Sequence, residues 1–274
     1  MPLTLRLRKR VGAGAVSTVY SAVEDSTGRA VALKKSRISQ RASRPTLRHE
    51  AATMRLLKGH SSVLDVLAYT HLPHFEYLAV ELLGSSLSEV VDAHGPMSIS
   101  VVSKVATQMV DALEHLHSFG LVHRDIKPHN ILFRSQEQDN DVSICLVDYG
   151  MVSKAASDSD APDRDPEPQS DIIGTLAYAS LRAHVSCQLS YRDDLESLAY
   201  TLCSIALGSL PWEKYNWRGT YYGRVWQVYQ QKKGFDGKRL AGSLPTAFAD
   251  LLDDSRRMSA KERPAYDALR SAFS

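Results

Sequence analysis

Cysteine is scarce in this chain: three residues in 274, Cys145, Cys187 and Cys203, odd in number and far apart. That argues against a disulfide framework and for free thiols in a reducing compartment. Long apolar runs are missing as well, since none approaches the roughly 18 residues that a membrane span needs. The opening MPLTLRLRKR lacks the apolar centre of a secretory signal. Nor is one sign of charge in excess: 33 Lys and Arg against 31 Asp and Glu leave a formal +2, which decides little, and no specific nucleic-acid partner is expected. The densest basic run, Arg6 to Arg10, follows Leu3, Leu5 and Leu7 in alternation with polar residues. Period-2 patterning of that kind reads as a half-buried first strand with a solvated outer face, in preference to a nuclear signal or nucleic-acid patch. The expectation is a soluble, monomeric, intracellular protein of the cytoplasm, with the nucleus left open.

What is present divides the chain in two. Residues 3 to 83 are strand-rich, with β-type runs LTLRLR, AVSTVYSAV, RAVALKK, VLDVLAY and YLAVELL around one amphipathic helix, TLRHEAATMRLLKG. In that helix Leu47, Ala51, Met54 and Leu57 make the buried stripe, and Gly59 stops it. After Gly84 helices dominate. Ser98 caps a segment whose Val102, Met109, Leu113 and Leu116 keep helical spacing until Gly120. DDLESLAYTLCSIALG is apolar nearly all round, which predicts a buried central helix. SDSDAPDRDPEPQSD, residues 157 to 171, has no large apolar residue and is expected to be a mobile loop. No internal repeat is found. The predicted class is α+β: a small antiparallel-β lobe with one main helix, residues 1–83, and a larger mainly helical lobe, residues 84–274.

The stretch LVHRDIKPHNILF, 121 to 133, sets a polar island between two apolar runs that read as buried strands. Buried Asp, Lys and Asn are costly unless something neutralises them. Eighteen residues after Asn130, Asp148-Tyr149-Gly150 ends a second apolar strand, SICLV. Oxygens of Asn130 and Asp148 at neighbouring strand ends suit one Mg²⁺, a hard cation. Asp125 then stands free to take a proton from an incoming hydroxyl, and Lys127 to neutralise a phosphoryl group in transfer. VGAGAVSTVY supplies a glycine turn whose backbone N–H groups can approach phosphate. On the following strand Lys34 can reach the α- and β-phosphates, and Glu50 on the next helix can pair with it.

VGAGAVSTVY, VALK, Glu50, HRDIKPHN and DYG, in that order, resemble the signature set of eukaryotic protein kinases. ELLGSSL, GTLAYASL and YRDDLESLAYTLCSIALGSLPW resemble the casein kinase 1 family more narrowly, with YAS where most protein kinases carry an APE-type motif. The likeness covers nearly the whole chain and ends with the catalytic domain, so the tails of that family are not expected. It implies a two-lobed kinase fold with an activation segment over 148–180, and a serine/threonine protein kinase that uses ATP and Mg²⁺ on protein substrates. It implies catalytic roles for Asp125, Lys127, Asn130, Asp148, Lys34 and Glu50, with Asn130 and Asp148 on the metal. It places Val11, Gly12 and Gly14 over the nucleotide and Val19, Ala32 and Leu132 around adenine. Val80 becomes the residue before the hinge, and Glu81 to Leu83 the hinge itself. Lys127, two places after Asp125, is the serine/threonine form of the loop. Asp194 is implied to bind the backbone of the HRD-type loop.

Three positions depart from the pattern: Ser17 at the third glycine, Tyr149 for the usual Phe, and Ala177 where that family carries an arginine associated with acidic or phosphorylated substrates. With Asp158, Asp160, Asp163, Asp165 and Glu167 crowding the loop against Arg164 alone, a weakened preference for acidic substrates is expected. Arg182 and Arg192 could partly restore a basic pocket. The pairs His71/His74 and His115/His117 have metal-like spacing but no completing ligands, so surface or loop-packing roles are expected, with His123 packing beneath its loop. Two other classes compete: a nucleotide-binding pseudokinase scaffold, and a small-molecule phosphotransferase of kinase-like fold.

Overall fold

Alternating side chains in the first eighty residues build a five-stranded antiparallel sheet in the order β1-β2-β3-β5-β4, from β1 (Leu5–Ala13), β2 (Ser17–Glu24), β3 (Ala30–Arg37), β4 (Ala68–His71) and β5 (Phe75–Glu81). The computed structural model describes residues 3–14, 17–38, 46–134, 142–156, 172–185, 188–215 and 219–274. The acidic segment 157–171, Cys187 and the glycine-turn residues Ala15 and Val16 lie outside them. Register decides what each sheet face carries. Val19 pairs with Lys34 and Lys34 with Leu78, while Ala32 pairs with Val80, so these residues share one face. The other face buries Ala22, Val31 and Ala79, with Leu3 and Leu5 packed against them.

Helix α1 (Thr46–Leu56) turns Leu47, Ala51 and Met54 inward, with Leu57 just beyond its end, as the periodicity predicts. Gly59 follows at φ +106°, a conformation that favours glycine. Two expectations fail here. Leu7 is 55% exposed because β1 is the sheet edge and its register slips between Leu7 and Arg10, which breaks the alternation. Of VLDVLAY only Ala68 and Tyr69 are strand; Val63 and Leu64 are buried in the main core as irregular chain.

The second lobe is helical: α2 (Leu87–His94), α3 (Ile99–Ser118), α4 (Tyr191–Leu207), α5 (Tyr221–Lys233), α6 (Gly237–Ala241), α7 (Thr246–Arg257) and α8 (Tyr266–Ala272). Ser98 caps α3, whose Val102, Met109, Leu113 and Leu116 are all buried. Helix α4 is buried from Arg192 to Ile205 and packs on α3 and α7, which makes it the axis of the lobe. Trp212 is fully buried and meets Tyr200 edge-on, with 5.1 Å between ring centroids. Two short antiparallel pairs rest on this core: β6 (Leu121–Val122) with β9 (Ser153–Lys154), and β7 (Ile131–Phe133) with β8 (Ile144–Leu146). No helix among the described residues is long and apolar enough to cross a membrane.

Two adjacent carboxylates begin α4 and behave oppositely. Asp193 accepts the Ser190 amide at 2.8 Å and the Ser180 hydroxyl at 2.7 Å, yet burial outweighs these bonds and pushes its carboxyl up to about 6. An unfolded aspartate titrates near pH 3.9, so the folded state holds this proton longer. The stability of the native protein over Asp193→Asn is therefore greatest below about pH 4. It should shrink by roughly 3 kcal/mol as pH rises through 6, a trend that urea denaturation of both proteins across this range checks.

Candidate active site

The polar island lies where the two strand pairs meet the central helix. After β6 the chain is gripped by Asp194: its carboxylate accepts the His123 amide at 2.7 Å and the Arg124 amide at 2.8 Å. Arg124 sits at φ +70°, a left-handed conformation costing a non-glycine residue about 1–3 kcal/mol, so the grip has strain to hold. His117 on α3 contacts the same carboxylate at 3.0 Å through Nε2 and the Tyr266 hydroxyl at 2.6 Å through Nδ1. This corrects the surface reading of His117, which is buried within a chain of polar contacts from α8 to the loop. Burial alone would raise the Asp194 carboxyl, but hydrogen bonding and charge from His117, with His123 adding, leave it below the ordinary range. His123 is fully buried and packs edge-on against Tyr149 at 5.4 Å, beneath the loop as expected. Asp194 is not the helix cap, which is Ser190.

Beyond the grip, Asp125, Lys127 and Asn130 converge. Lys127 Nζ donates to Asp125 Oδ2 at 2.7 Å, and Asn130 Nδ2 donates to the Asp125 carbonyl at 2.9 Å. A fourth group, unnoticed in the sequence, completes the cluster: Thr175 donates its hydroxyl to Asp125 Oδ1 at 2.8 Å and accepts Lys127 at 2.7 Å. Its neighbour explains the placement. Gly174 lies at φ +91°, and a Cβ there would stand 2.5 Å from the Arg124 carbonyl, so glycine alone lets the two segments meet. The signal was available in Gly174-Thr175, a glycine and a hydroxyl opening the GTLAYAS segment.

The third cluster joins the lobes. Lys34 Nζ lies 2.8 Å from Glu50 and 2.7 Å from Asp148. Burial works against the Lys34 cation, but the two carboxylates prevail and raise it above the ordinary lysine range. Glu50 is pushed up by burial against the pull of Lys34. Asp148 goes the other way: burial opposes its charge, and Lys34 carries it below the usual value. Asp148 is the second left-handed non-glycine residue, at φ +66°. Asn130 spends its amide nitrogen on Asp125, which leaves its side-chain oxygen for a cation. No group of three His, Cys, Asp or Glu able to hold a metal occurs among the described residues, the histidine pairs included. An amide and a carboxylate fit Mg²⁺, which keeps few protein ligands and shares phosphate oxygens.

The nucleotide-side residues fall along one sheet face and the chain beyond it. Gly12 opposes Val19, which opposes Lys34, and Ala32 opposes Val80. Neither Gly12 nor Gly14 needs a positive φ, and a Cβ on either would meet only ordinary contacts at 3.7–3.9 Å. Nothing among the described residues therefore demands glycine there; the bare backbone leaves room for a ligand to approach. The Gly14 amide donates to the Ser17 carbonyl at 2.8 Å, closing the turn. Val11 is 39% exposed. Past Glu81, the Leu82 amide donates to Ala30, and Leu83 makes no backbone hydrogen bond to another described residue. Leu132 pairs with Cys145 and bridges to Ser86, below that edge. Arg192 does not join a basic pocket: its guanidinium is buried and donates to the Met258 carbonyl at 2.6 Å.

Removing the Asp194 carboxylate takes the partner from the buried His123 amide, the part-buried Arg124 amide and His117 Nε2. Asp194→Ala should lower unfolding free energy by about 3–5 kcal/mol in denaturant titration, and a change below about 1 kcal/mol would show that the grip is dispensable.

A family model described as protein kinase domain matches residues 5–272. It spans both lobes and every cluster described above, and members of that family use ATP and Mg²⁺. The chain belongs to the protein kinase domain family.

Proposed function

We propose that this kinase transfers the γ-phosphate of ATP to serine and threonine hydroxyls of intracellular proteins, with a casein kinase 1-like catalytic domain. The observation that carries the reading is the convergence of Lys34 on Glu50 and Asp148 at 2.8 and 2.7 Å, beside the Asp125, Lys127 and Thr175 cluster. Asn130 and Asp148 would hold Mg²⁺, which would supply positive charge to offset that of the phosphates. Lys34, oriented by Glu50, donates to the α- and β-phosphates. Asp125, fixed by Thr175 and Asn130, orients the acceptor hydroxyl and takes its proton, and Lys127 balances charge on the phosphoryl group.

Serine/threonine choice rests on Lys127 two places after Asp125, and the subtype on GTLAYASL and the segment from Tyr191 to Trp212. Ala177 is buried, with its carbonyl accepting Trp212 Nε1 at 2.8 Å, so no planar guanidinium stands there to hold a phosphate. A weakened preference for acidic or phosphorylated substrates follows. Cys145 and Cys203 are buried thiols pushed by burial up to about 11 and about 12, so neither presents a reactive thiolate.

Because the barrier is lowered by positioned charge, single charge deletions decide the matter. Lys34→Met and Asp148→Asn should each cut turnover about 10²-fold or more while circular dichroism stays native. Near-native turnover by either folded variant contradicts the assignment. Nucleotide binding by native protein without any transfer would favour a scaffold.

A further inference from the structure

Helix α1 carries Glu50, yet its first turn holds no acidic residue of its own. Amides at a helix start lack intrahelical partners, and negative charge there is favoured by the helix dipole. The charge arrives from the sheet. Glu76 on β5 places Oε2 at 3.4 Å from the Leu47 amide and Oε1 at 3.2 Å from the Arg48 amide. Oε1 also accepts the Tyr69 hydroxyl at 2.6 Å, and His71 Nδ1 stands 4.0 Å away. Register accounts for the reach: Glu76 pairs with Ser36 as Leu78 pairs with Lys34, so Glu76 and Lys34 share the face that looks toward α1. A carboxylate only 1% exposed persists where hydrogen bonds and dipole offset its lost hydration. Here both offsets come from α1 and β4.

We propose that Glu76 is a positioning residue for phosphoryl transfer, capping α1 from the sheet and so fixing the 2.8 Å approach of Glu50 to Lys34. Glu50 follows Leu47 by three residues, about 4.5 Å along the helix axis, so movement at the cap is felt at the ion pair. Tyr69 shares Oε1 with the Arg48 amide and holds the carboxylate in its capping orientation. The inference rests on the kinase reading for the role of Glu50, but the cap itself does not.

The test compares full-chain native protein, Glu76→Leu, Glu76→Gln, Glu50→Gln and the Glu76→Leu/Glu50→Gln double variant. In Glu76→Leu, nucleotide-free protein should exchange the Leu47 and Arg48 amides about fivefold faster, the loss expected of a missing cap. Its kcat should fall about tenfold, with the acceptor KM moving less than about twofold. That loss should vanish in the Glu50→Gln background, since the interaction Glu76 acts through is already gone. Glu76→Gln keeps one acceptor oxygen and should fall between, and it carries the comparison should Glu76→Leu not fold. Unchanged exchange at α1 in the folded variants, or an equal fractional loss of kcat with and without Glu50, overturns the proposal. If native protein transfers no phosphate, the kinase reading fails separately and amide exchange alone decides whether Glu76 caps the helix.

Discussion

A single buried carboxylate, Asp194 at the start of α4, holds the segment on which the catalytic geometry depends. It takes two consecutive amides, His123 and Arg124, and the second belongs to a left-handed residue that would relax without it. The tight bend that results sets the Arg124 carbonyl against Gly174, too close for any side chain, with Asp125 next to it. Thr175 reaches Asp125 only because Gly174 can lie there. The position of the acceptor-side cluster thus follows from one ionised group kept charged by its hydrogen bonds.

The lobe-joining cluster obeys a different constraint. Glu50 and Asp148 are two carboxylates sharing one ammonium, and burial drives one up while Lys34 draws the other down. In a partly buried site such an excess of negative charge invites a further cation. Asp148, 41% exposed at its side chain, and the free oxygen of Asn130 are where that cation would sit. The excess carboxylate charge is thus complementary to a cation, while the Lys34 and Lys127 ammonium groups are complementary to phosphate.

Much of this was legible in the sequence because the chemistry is linear there: the polar island, Asp148-Tyr149-Gly150, and Lys34 with Glu50 each occupy a short stretch with a strong composition signal. Helical periodicity located α1 and α3, and an all-round apolar run located α4, for the same reason. What escaped depends on contacts between distant stretches. Thr175 looks like any loop threonine until Gly174 brings it to Asp125. His117 looks like a helix-end histidine until α8 covers it with Tyr266. Glu76 lies just before the run YLAVELL and drew no notice, although the structure buries it beneath α1. Leu7 misled in the opposite sense, because alternation marks two faces without saying that an edge strand with slipped register stops burying its inner face after Leu5. Arg192, read as a substrate-side charge, is spent inside the lobe on the Met258 carbonyl.

In the proposed mechanism Asp125, Lys127 and Thr175 form an acceptor site for an aliphatic hydroxyl reached close to the loop. The most direct measurement is radiolabelled ATP transfer by the native protein to three peptides identical except for Ser, Thr or Tyr at the acceptor position. Transfer to serine and threonine at least about 10²-fold above tyrosine, the discrimination a positioned hydroxyl site can supply, is the predicted result. Equal or greater transfer to tyrosine would contradict it.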